Sequence, residues 1–130
     1  MKDETASWIG YADENLAVAR LSLTNGYLNA CLHNVQQAVE KLLKALIVER
    51  GLPFKKTHGI TELEADLSRA GITIGITSEE CALLDAIYLP SKYPLASVLP
   101  DGPPTVGICE RCLELADRVA AATLARVHLQ

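Results

Sequence analysis

The run CLHNVQQAVEKLLKALIV, residues 31–48, decides the fold. Its apolar residues Cys31, Val35, Ala38, Leu42, Ala45 and Val48 recur at steps of four and three, the spacing of one face of an α-helix. Val39, Leu43, Leu46 and Ile47 widen that face beyond what one neighbour covers. The helix, predicted from Tyr27 to about Arg50, therefore belongs at the centre of a bundle.

Reading outward, Trp8, Ala12, Leu16, Ala19 and Leu23 draw a stripe on a preceding helix over about residues 5–24, and Asn25-Gly26 stops it. Gly51 and Pro53 close the central helix. Thr57 is read as the N-cap of a short third helix bearing Ile60, Leu63, Leu67 and Ala70, ended by Gly71. The segment Ile72-Thr73-Ile74-Gly75-Ile76 alternates like a strand but has no partner strand. It reads as an extended connector whose isoleucines cover the end of the core. Thr77 and Glu80 have capping-box spacing and open a fourth helix, through about Leu89. Five of the six prolines fall in residues 90–104, which argues against regular helix there and for a functional or mobile loop. A last helix is predicted from about Thr105 to Val127. The expectation is a single all-α domain over residues 1–130: an up-and-down helical bundle of three long and two short helices.

Composition narrows the function. The chain has 130 residues, 49% of them hydrophobic, and a net charge of -4, a poor match for a nonspecific nucleic-acid coat. Met1-Lys2-Asp3-Glu4 lacks the basic and apolar character of a secretory signal, and no apolar run approaches the roughly 20 residues of a membrane span. A cytoplasmic domain with reduced cysteines is expected. Cys109 and Cys112 form a CxxC, but with no second pair they read as small core residues, and no metal or other cofactor is expected.

Basic charge is nevertheless concentrated. Lys41, Lys44, Arg50, Lys55 and Lys56 stand against Glu49 alone between residues 41 and 56, a local balance of +4. Lys41 and Lys44 lie one helical turn apart. Lys55-Lys56-Thr57-His58 leads into the third helix, where free backbone N–H groups favour an anion. These residues suit a phosphate or nucleotide; the alternative is that they complement the helix dipole, with Lys44 on an exposed face. Gln36, Gln37 and Glu40 either line a polar cleft or form an exposed flank. His33 reads as polar flank and His128 as a frayed end. Lys92 and Tyr93, after the fourth helix, are placed to reach back over the Lys55–His58 segment, with Tyr93 stacking on a base or closing the cleft; the alternative is that Tyr93 packs the loop onto the bundle. No glycine-rich phosphate loop, nucleophile elbow or HExxH motif is present.

Tyr27-Leu28-Asn29-Ala30-Cys31, the stretch Gln36 to Leu46, Lys56-Thr57-His58-Gly59-Ile60 and Lys92-Tyr93-Pro94 together resemble the HEPN domain (higher eukaryotes and prokaryotes nucleotide-binding), with Lys92 where the family usually has Arg. The resemblance spans about residues 5–125. It implies a helical bundle, commonly a homodimer, often encoded beside a minimal nucleotidyltransferase in toxin–antitoxin or defence-type pairs. Ribonuclease members carry an Arg followed after four to six residues by a His. Here the nearest such spacing is Arg50 to His58, with seven residues between them. The expectation is a nucleotide- or RNA-phosphate-binding module with no catalytic residues of its own, holding its ligand through Lys41, Lys44, Lys56, His58, Lys92 and Tyr93. The rival expectations are a metal-independent ribonuclease with an atypical site and a purely structural interaction protein.

Overall fold

The computed structural model describes residues 1–54, 56, 57, 59–92 and 103–128, with side chains of the fourth helix as far as Tyr88. Five helices follow one another: α1 (Asp3–Thr24), α2 (Leu28–Glu49), α3 (Ile60–Arg69), α4 (Ser78–Lys92) and α5 (Val106–His128). No strand occurs among the described residues. The expected all-α bundle is what the chain forms. Among the described residues no helix is long and apolar enough to cross a membrane.

The central position of α2 follows from its apolar breadth. Leu32, Leu42, Leu43, Leu46 and Ile47 are almost wholly buried, and α2 packs against each of the other four helices, most extensively against α1. Each such side chain contributes about 1.5–3 kcal/mol through loss of water contact. The tight α1–α2 turn is made by Gly26 at φ 80°, and Tyr27 donates its N–H back to Ser22 at 2.8 Å. Gly51 does the same at the end of α2, with φ 65°, and Leu52 donates to Ile47 at 3.0 Å. Both positions need the left-handed backbone that glycine tolerates best.

The stripe on α1 is rotated slightly from expectation. Thr5, Ile9, Ala12, Leu16, Ala19 and Ser22 face the core, while Trp8 and Leu23 pack along its rim. Between α3 and α4 the alternation holds: Ile72, Ile74 and Ile76 are buried, and Thr73 and Gly75 are exposed. The α4 capping box is reciprocal, with Thr77 N–H to Glu80 at 2.9 Å and Glu80 N–H to the Thr77 hydroxyl at 3.1 Å. Burial pushes the Glu80 carboxyl up, but the bonds from Arg118 and Thr77 outweigh it and hold the group below its ordinary range.

Two boundaries correct the sequence reading. Helix α4 continues to Lys92, beyond the expected end near Leu89, and so includes Pro90. A proline in the last turns forfeits one backbone bond without ending the helix at once. Helix α3 starts at Ile60, and its N-cap position is Gly59 rather than Thr57. The Thr57 hydroxyl instead accepts the Gly59 N–H at 3.1 Å and donates to Glu62 at 3.0 Å. Most of the proline-rich segment, from Tyr93 to Gly102, lies outside the described residues.

Candidate functional site

The polar residues in the middle of α2 are mostly buried. Gln36 is 0% exposed and Glu40 only 3%, which excludes the exposed-flank alternative for both. Buried polar groups need partners. The Gln36 side-chain oxygen accepts a bond from Gln37 at 2.8 Å, and Glu40 accepts one from the Lys44 ammonium at 2.9 Å. A turn away, Lys41 donates to Asn15 of α1 at 2.6 Å, and Asn15 donates to Asn34 at 2.9 Å. The seam between α1 and α2 thus carries a polar ladder set into an apolar interface.

Lys44 is placed where the sequence reading did not put it. It is 5% exposed, so the exposed-face alternative is corrected. Its ammonium sits 5.7 Å from the ring centroids of both Trp8 and Phe54, in addition to its Glu40 bond. Those rings lie 5.8 Å apart, tilted by 31°. The arrangement satisfies the charge from two sides: carboxylate for the hydrogen bond, aromatic faces for the remaining positive surface. Glu40 stands one residue before the basic run and cancels part of its +4 balance, which a count from Lys41 onward does not register.

Of the other expected ligand residues, Lys41 is half-buried and held by Asn15, and Lys56 is exposed. Lys92 ends α4, its side chain lying beyond those described. His58 and Tyr93, like Lys55, lie outside the described residues. Through Phe54 the structure brings the α2–α3 connection that carries Lys56 against Lys44 and α1. Surface concavities among the described residues include one bounded by Leu52, Pro53, Asp66, Arg69 and Ala70, and another bounded by Glu79, Ala82, Leu83, Ala86 and Arg111.

The start of α3 differs most from expectation. Its first N–H groups are not free for an external anion: Ile60 and Thr61 donate to the Asp85 carboxylate of α4 at 2.6 and 3.1 Å, and the Thr61 hydroxyl adds a bond of 2.6 Å. The protein supplies its own anion there. Sequence reading missed Asp85, Phe54 and Asn15, and the contact of Trp8 with Lys44, because each acts across a gap in sequence that periodicity does not span.

The cysteines behave as core residues. Burial pushes Cys109 up to about 12 and both Cys81 and Cys112 up to about 11. Burial also raises Cys31. Thiols held protonated in this way are poor nucleophiles and poor metal ligands. No group of three or more metal-ligating side chains that could hold an ion occurs among the described residues.

A five-helix bundle with a polar seam on its central helix and a basic connection after it defines a class of small all-α domain. The HEPN domain profile matches residues 5–126, and the chain belongs to the HEPN family. Among solved structures it is similar to TT1696 from Thermus thermophilus, with 28% identity and a TM-score of 0.76 over 95% of this chain and 98% of that one. It is also similar to ST0689, an archaeal HEPN homologue, with 27% identity and a TM-score of 0.70 over 98% and 99% of the two chains. Comparison with curated proteins finds no match.

Proposed function

We propose that this HEPN domain is a cytoplasmic module that binds a nucleotide or RNA phosphate and serves as the non-catalytic partner of a minimal nucleotidyltransferase. The observation that carries the binding reading is the position of Phe54 against Lys44 and Trp8, which ties the basic α2–α3 connection to the polar seam. In this proposal Lys41, Lys56, His58 and Lys92 supply positive charge and donors, and Tyr93 closes over the ligand. Lys44, bonded to Glu40, supports the site from behind. Phosphate recognition by lysines is salt-dependent, because it releases condensed counterions.

Isothermal titration of the purified protein with ATP and with a short single-stranded RNA, at low salt, tests the reading. Expected is binding that weakens as salt rises and is lost in Lys41→Glu/Lys56→Glu. Absence of binding by both ligands overturns it. RNA degradation by the same protein, abolished in His58→Ala, would replace it with the ribonuclease reading.

A homodimer belongs to the same proposal. Tyr11, Val18 and Leu21 leave an apolar stripe on the outer side of α1, with Tyr11 at 60% and Leu21 at 64% exposure. Water-facing apolar area of that kind suits burial against a second copy. Light scattering should give twice the monomer mass, and Leu21→Glu should return it to the monomer.

A further inference from the structure

Phe54, in the α2–α3 connection, is both braced and exposed. Its ring is fixed from behind by Trp8 and by the buried Lys44 ammonium, yet the residue is 44% exposed. The ring is braced by an indole from α1 and a cation from α2. Pro53, immediately before it, restricts the backbone leading into the ring. Lys56 follows two residues later and is exposed.

We infer that Phe54 is a base-stacking platform: the ligand of this site is a nucleotide whose base lies on the open part of the Phe54 ring while its phosphate faces Lys56. The inference rests on the phosphate-binding reading above and goes beyond it, because lysines alone would accept any phosphate. Stacking confers selection for a base over a bare sugar phosphate. Bracing matters energetically, since a ring already held in place loses little further freedom when the base settles on it.

Trp8 is the chain's single tryptophan, so its emission reports on this corner alone. The experiment titrates AMP and ribose 5-phosphate into the wild-type protein, Phe54→Leu and Phe54→Tyr, following Trp8 fluorescence and heat. For the wild type, AMP is expected to bind about tenfold more tightly than ribose 5-phosphate, because only AMP carries a base to stack on the ring. AMP, but not ribose 5-phosphate, should change Trp8 emission. Phe54→Leu should lose that tenfold preference while keeping its ribose 5-phosphate affinity, and Phe54→Tyr should retain the preference. Equal affinity of the wild type for the two ligands, or an unchanged preference in Phe54→Leu, overturns the stacking role and leaves the phosphate site standing. Failure of both ligands to bind the wild type overturns both.

Discussion

The Asp85 carboxylate, on α4, accepts the backbone N–H of Ile60 at 2.6 Å and thereby caps α3 from a different helix. A cap drawn from the helix's own sequence would hold α3 in shape only. This one also sets where α3 lies against α4, because the bond closes only when the two are packed.

Asp85→Ala should lower stability by about 0.5–2 kcal/mol, the range measured for losing an N-cap acceptor. Asp85→Asn should recover part of it, since the amide oxygen still accepts one N–H. The midpoint of urea unfolding measures both. A neutral effect of Asp85→Ala would mean that water caps α3 equally well.

The Glu40–Lys44 pair makes a sharper prediction. Removing one member strands a charge in the interior, so Glu40→Ala should cost about 3–5 kcal/mol. The double variant Glu40→Leu/Lys44→Met removes both charges and keeps the bulk. It should unfold at a higher denaturant concentration than either single variant.

Glu49 links the α1 N-terminus to the end of α2. It accepts the Lys2 N–H at 3.0 Å and the Thr5 hydroxyl at 2.8 Å, and these bonds hold its carboxyl below its ordinary value of 4.5. The folded state therefore binds this proton less readily than the unfolded chain. The stabilisation is fully present above about pH 4.5 and disappears as the pH falls through the lower folded value. Glu49→Gln should lose about 1 kcal/mol near neutrality and show a shallower decline in acid. Urea midpoints at about pH 7 and about pH 3 measure the difference.

The thiols supply a kinetic test. Four free, buried cysteines with their ionisation pushed upward should react negligibly with a thiol reagent at about pH 8 in the native protein. All four should react once guanidinium unfolds it. Fast native labelling of Cys31, Cys109 or Cys112 would show that the α2–α5 contact opens locally, and of Cys81 that α4 does.

What the sequence carried and what it did not can be traced residue by residue. The α2 stripe was legible because helical spacing and burial are the same fact seen twice, once in order and once in space. The Thr77–Glu80 box was legible because both partners lie within one turn. Lys44 was not: a lysine on a helix reads the same whether it faces water or the rings of Trp8 and Phe54, which come from 36 residues before and 10 residues after it. The anion expected at α3 was likewise misassigned, since Asp85 follows Ile60 by 25 residues.

The sequence by itself determined five helices, their order, and the central place of α2, because backbone propensity and apolar periodicity act over a few residues at a time. Only the tertiary structure decided which polar groups became partners across the helices: Lys44 with the rings of Trp8 and Phe54, Lys41 with Asn15, Asp85 with α3. Hydrogen bonds and ion pairs act over about 3 Å, and that proximity exists only after the helices have packed.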